Sequence, residues 1–235
     1  MRSTARVPAI DTMSETKLER GEAMTADVEE DEMTLAAIKA FDLAPEDHHF
    51  DFVPYVMPEL PEDYAIGLII GASGSGKSLL LKSIGGEKEV VWQPRRSIVS
   101  HFASAEEAAE RFYAVGLNTV PTWRLPYDVL SNGQRFRADL ARRLETGGIV
   151  DEFTSVVDRN VAIAASRALN NWIERSGTRR MVFASCHRDI IPWLRPDWMI
   201  DTDSGEFIVG HVQERPSWYV ELLRKEEPVG ALILK

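Results

Sequence analysis

The chain has 235 residues, 44% apolar and 27% charged, with a formal net charge of −10 and a pI near 5.1. That length suits one medium domain with tails, the apolar share is enough for a core, and the acidic balance argues against a whole-protein grip on nucleic acid. A single cysteine, Cys186, excludes an internal disulfide; with no bilayer-length apolar stretch and no apolar signal core at the start, a cytoplasmic location without membrane insertion is expected.

In chain order, residues 1–48 carry five basic and twelve acidic side chains, including the run Glu29, Glu30, Asp31 and Glu32. This segment reads as an acidic, flexible, solvated tail, with "MTLAAIKAF" as a short helix inside it. A globular domain is expected over 49–215 and a C-terminal extension over 216–235. "AIGLII" reads as a buried strand, "KSLLLKSI" as a helix, "KEVVWQ" as a second strand and "SAEEAAERFYAVG" as a helix ending at Gly116. "SNGQRFRADLARRLETGG" is a helix closed by two glycines, "GIVDE" a short strand, and "DRNVAIAASRALNNWIERSG" a long amphipathic helix. "RRMVFASCH" is another buried strand, and "DWMIDTDSGEFIVG" two strands around a turn at Ser204-Gly205. Alternating strands and helices predict an α/β fold, a mostly parallel sheet covered by helices on both faces.

Between the first strand and its helix lies "GASGSGKS", from Gly71 through Ala72, Ser73, Gly74, Ser75 and Gly76 to Lys77 and Ser78. It matches the pattern of a phosphate-binding loop in the required strand–loop–helix context. Glycines let backbone N–H groups converge on phosphate, and the helix adds its positive end. Lys77 is placed to reach the outer phosphates, and the Ser78 hydroxyl to ligate Mg²⁺. In "GIVDE", a strand ending in Asp151 makes that carboxylate a second Mg²⁺ candidate, and Glu152, which follows at once, is free to orient or deprotonate an attacking water. His187, at the end of the later strand, can reach the terminal phosphate and that water. Cys186 reads as a small buried hydrophobe.

"LSNGQRFRADLARRL" contains a Ser131–Gln134 capping box, and Phe136, Leu140, Ala141 and Leu144 share one helical face. The box explains a helix start. It leaves unexplained Asn132-Gly133 followed by Arg135, Arg137, Arg142 and Arg143, a cluster that reads either as a solvated face or as a partner surface.

With these motifs in this order, the chain resembles an ATP-binding-cassette (ABC) ATPase over roughly residues 50–210. "GASGSGKS" resembles the Walker A loop, "LSNGQ" the signature, "GIVDE" the Walker B strand, "SVVD" (Ser155 to Asp158) the D-loop and "SCH" the switch histidine. The resemblance implies a P-loop NTPase fold of the ABC type. It also implies Mg-ATP hydrolysis and an ATP-dependent homodimer in which two cassettes meet head to tail. Ser131 and Gly133 would then touch the γ-phosphate bound by the partner's Lys77. Gln93 resembles the Q-loop glutamine that senses nucleotide and Mg²⁺, and Phe50, Phe52 or Tyr55 would stack on adenine.

Four features depart from the family pattern. Asn132 replaces a glycine, Phe153 replaces a proline, Gly147 and Gly148 stand where large aliphatics are usual, and only 54 positions separate Lys77 from Ser131. The last implies a reduced helical subdomain. It favours a soluble ATPase that switches a partner over the nucleotide-binding subunit of a transporter. A nucleic-acid-associated cassette is the other alternative, but the interval holds no coiled-coil heptads. The wording around "LSNGQ" is similar to soluble ABC ATPases found fused to, or beside, GNAT-type acetyltransferase domains, which points to an acetyltransferase or nucleic-acid-modifying partner.

Overall fold

The computed structural model describes residues 14–26, 31–42, 50–155 and 157–210. The C-terminal extension expected over 216–235 lies outside them, as do Glu29 and Glu30 of the acidic run.

The central sheet grows from β4 (Ile66–Ile70), flanked in parallel by β6 (Met181–Ser185) and β7 (Trp198–Asp201), with β5 (Ile149–Val150) beyond β6. β8 (Glu206–Val209) returns antiparallel on β7, and β1 (Ser14–Lys17) pairs antiparallel with β8. The order is therefore β1-β8-β7-β4-β6-β5, a mostly parallel sheet as expected. A separate two-stranded ribbon joins β2 (Met24–Ala26) to β3 (Phe50–Phe52).

The parallel strands are apolar up to Ser185 and Asp201 at their carboxyl ends, because both faces are covered. Ile66, Leu68, Ile70, Met181, Phe183 and Met199 point into one core, whereas Ile69, Val182, Ala184, Trp198 and Ile200 point into the other. The first core takes buried residues from α3 (Ala105–Ala114), α5 (Asn132–Arg143), α6 (Arg159–Ser176) and α7 (Ile191–Leu194). The second takes Leu80 and Leu81 of α2 (Lys77–Ser83). Helix ends follow local chemistry: Ser104 caps α3, Asp158 caps α6, and Gly177 closes α6 in the left-handed region. Between α2 and α5 stand only α3, α4 (Val120–Trp123) and short 3₁₀ turns at Ile98–His101 and Tyr127–Val129, the small helical subdomain that the short interval predicts.

Three expectations change. Residues 14–17 and 24–26 are strands, so the sheet begins before the boundary expected at residue 49; within 1–48, the described part is not simply a tail. The expected helix is present as α1 (Glu32–Phe41), capped by Asp31 and without a buried residue. "KEVVWQ" forms no strand. The Trp92 indole instead donates to Asp139 of α5 at 2.7 Å and stacks on Tyr127, and Val91 is left 68% exposed. Cys186 is also exposed rather than a buried hydrophobe.

Candidate nucleotide site

At the carboxyl end of β4 the chain turns into the phosphate loop. Gly71 has φ 153°, and a Cβ there would stand 1.9 Å from Thr202 Oγ1, so only glycine lets the loop leave the sheet so close to β7. Ser73, Gly74, Gly76, Lys77 and Ser78 line a cleft of about 420 Å³, a volume typical of small-ligand sites. Gly71, Ala72 and Ser75 form the base of the loop. The Ala72 N–H donates to Asp203 Oδ1 at 2.9 Å, and Ser75 Oγ meets Thr202 Oγ1 at 2.6 Å. Lys77 Nζ donates back to the carbonyls of Gly71 (2.9 Å) and Ala72 (2.6 Å), a bridge that a phosphate could replace as the acceptor.

The same cleft is also lined by Asp151, Glu152, Ser155 and Cys186. Asp151 Oδ1 accepts the Glu152 N–H at 2.8 Å, and Ser155 Oγ donates to Glu152 Oε2 at 3.4 Å. Glu152 (φ 48°) and Thr154 (φ 74°) both occupy the left-handed region, costly for residues with a Cβ. Between them Phe153 is the anchor: its ring is buried against Phe183 at 4.9 Å, and its N–H donates to Ala184 at 2.7 Å. Proline would forfeit that bond, which accounts for the departure at this position. Gly148 is also explained, since a Cβ would lie 2.3 Å from the Arg143 carbonyl.

His187 is not among the cleft-lining residues. Its Nδ1 shares a 3.0 Å hydrogen bond with Thr154 Oγ1, two residues beyond Glu152, and its N–H donates to Ser185 Oγ at 3.0 Å. Burial, then the nearby Arg159 charge, lower its pKa, so the imidazole is neutral near pH 7. Gln93 also stands away from the cleft. Its Oε1 accepts from Arg96 and its backbone N–H donates to His101 Nε2, both at 3.0 Å. Ser131 caps α5 with the full Ser131–Gln134 box, and it and Gly133 do not line this cleft. Phe52 and Met24 do. Tyr55 instead lies under the Arg20 guanidinium at 3.8 Å, and the Phe50 side chain lies outside the described residues.

The arginines of α5 do not make one solvated face. Arg135 packs over Tyr127 and donates to the Asp128 carbonyl, Arg142 lies over Trp92, and Arg143 pairs with Glu87 at 3.3 Å. Burial lowers the pKa of half-buried Arg137. Thr154, Thr202, Asp203 and Met24 were not found from the sequence: the first three act through a neighbour that only folding supplies, and Met24 reaches the cleft only through the β2–β3 ribbon.

No protein-family model matches the chain, and no curated protein is significantly similar. Among solved structures, a bacterial ABC transporter cassette in its dimeric form is 17% identical over 64% of this chain and 87% of its own, with a TM-score of 0.47. A metal-chelate-type ABC transporter in an inward-facing conformation is 18% identical over 77% and 84%, with a TM-score of 0.48. A dimeric cassette bound to ADP and Pi after hydrolysis is 15% identical over 81% and 94%, with a TM-score of 0.46. At identities and scores this low, the likeness assigns no activity and no partner to this chain.

Proposed function

We propose that the chain is an ABC-type ATPase that binds and hydrolyses Mg-ATP between two head-to-tail copies, and so drives a conformational switch in a partner. One observation carries the reading: a single cleft is lined by both the phosphate loop and the Asp151–Glu152 pair. Loop N–H groups and Lys77 hold the phosphates, and Phe52 is the cleft aromatic available to adenine. The oxygen donors Ser78 and Asp151 share this cleft, and together with nucleotide phosphate they fit Mg²⁺, which takes few protein ligands. When bound, Mg²⁺ neutralises charge developing on the transferring phosphate.

Glu152 is the general base for the attacking water, with Ser155 donating to its carboxylate. Neutral His187, oriented by Thr154, is suited to donate a hydrogen bond or accept a proton near the terminal phosphate once the site closes. Ser131 and Gly133 start a capped helix away from their own cleft, which supports their acting on the partner's nucleotide. The small helical subdomain favours a partner other than membrane domains, and no helix among the described residues is long and apolar enough to cross a membrane.

The test is complementation. Lys77→Ala and Ser131→Arg chains are assayed separately and mixed. Activity that returns in the mixture supports the shared site, because one composite site retains both intact halves. A chain that stays monomeric by light scattering at every Mg-ATP concentration, with full activity, refutes it.

A further inference from the structure

Behind the residues that would touch nucleotide lies a second layer that sequence motifs do not describe. β7 ends at Asp201 beside the end of β4, and the chain continues as Thr202 and Asp203 beneath the phosphate loop. Asp203 Oδ1 accepts the Ala72 N–H at 2.9 Å. Thr202 Oγ1 donates to the Ile70 carbonyl at 3.0 Å, so the Ser75 hydroxyl is the donor in their 2.6 Å contact. Arg188, directly after His187, grips Asp201 through both Nη atoms (2.5 and 2.8 Å), and its Nη2 also donates to Asp203 Oδ2 at 2.8 Å. One guanidinium thus joins the segment bearing His187, the end of β7 and, through Asp203, the entry of the phosphate loop.

We propose that Asp203 is a positioning residue for the phosphate loop and that Arg188 is the arm that aims it. The inference rests on the nucleotide reading above. The loop binds phosphate by converging several N–H groups, and that convergence loses free energy if the loop must be ordered on binding. Asp203 holds the loop at its first turn, and Arg188 keeps both carboxylates compensated beside a site meant for an anion. The brace touches neither Glu152 nor its strand, so its loss weakens binding more than turnover.

The experiment is calorimetry of Mg-ATP binding, with steady-state hydrolysis, on the full chain and its Asp203→Ala, Asp203→Asn and Arg188→Lys variants. Loss of the anchor in Asp203→Ala raises Kd and KM about tenfold, with kcat within about threefold. Asp203→Asn keeps an acceptor for the Ala72 N–H but sets its amide NH2 against Arg188 Nη2, so it recovers only part of the loss and Kd falls between wild type and Asp203→Ala. Arg188→Lys cannot span both carboxylates and weakens binding several-fold. If Asp203→Ala does not fold, the Asn and Lys variants decide the matter by the same expectations. Asp203→Ala binding as tightly as wild type, Asp203→Asn binding as weakly as Asp203→Ala, or a fall in kcat without a rise in KM overturns the proposal. Unchanged binding by Lys77→Ala, or a wild-type chain that binds no Mg-ATP, overturns the nucleotide reading itself and this inference with it.

Discussion

Replacing Phe153 with alanine tests whether one buried ring holds the candidate base in place. Phe153 is 1% exposed, packs against the Phe183 ring at a tilt and lies between two residues in left-handed backbone, Glu152 and Thr154. Truncating a buried phenylalanine costs about 3–5 kcal/mol, including the cavity left behind. For a domain of this size each kcal/mol lowers the melting temperature by about 2–4 °C, so Phe153→Ala should melt roughly 6–20 °C below wild type. The backbone bond from the 153 N–H to Ala184 survives the substitution, so the fold should persist at low temperature. Without the ring, the strained turn relaxes and Glu152 leaves its position, so hydrolysis measured well below the melting point should fall while Mg-ATP binding by Lys77 remains. Phe153→Leu, which keeps most of the volume, should cost less than half as much. Calorimetric melting and a phosphate-release assay read both quantities. A Phe153→Ala chain melting within about 2 °C of wild type would refute the anchoring argument.

Lys77→Ala should weaken Mg-ATP binding roughly a hundredfold by calorimetry, because a charge-assisted contact to phosphate is lost. Glu152→Gln should slow hydrolysis by about a hundredfold to ten-thousandfold while nucleotide still binds, as read by phosphate release and calorimetry on the same sample. Arg188→Ala should show a pH-dependent stability deficit. Burial pushes the Asp201 carboxyl up, but the Arg188 hydrogen bonds and charge, with two backbone N–H groups, outweigh it and hold the pKa below its ordinary value. In wild type this contributes stability that is fully present above about pH 4 and is lost as pH falls through the depressed folded pKa. In the variant only the two backbone N–H groups oppose burial, the pKa rises, and the carboxylate that has lost its guanidinium destabilises the fold above that raised value. The deficit should therefore be about 3 kcal/mol at pH 7, the low end for breaking a buried pair, and should be smaller at about pH 3, below the ordinary carboxylate value, where the stability that Arg188 supplies is being lost. Urea unfolding at the two pH values measures it, and an equal deficit at both would contradict the assignment.

Much of the site was legible because its signals are local. The phosphate loop needs glycine, lysine and serine at fixed spacing, and the structure places it between a buried β4 and α2. The Ser131–Gln134 box is a pair of short-range hydrogen bonds, and it forms as its spacing predicts; the Asp158 cap of α6 is equally local. That Asp151 and Glu152 come at the end of a strand was also readable, although the strand itself stops at Val150; that they share one cleft with the loop follows from β5, β6 and β4 lying side by side in parallel.

Other elements depended on contacts distant in sequence. "SETK" has no apolar alternation, yet it becomes β1 because β8 offers an unpaired edge. "KEVVWQ" has the composition of a strand, yet Asp139 and Tyr127 capture its tryptophan, and with it Gln93 stays beside His101 rather than in the cleft. Asp203 carries no motif and acquires its role only where β7 ends against the loop. Spacing along the chain decides which backbone groups a side chain can cap or converge, since those bonds form within a turn. Which carboxylate meets which amide across the sheet is decided only when strand order brings residues more than a hundred positions apart within hydrogen-bond reach.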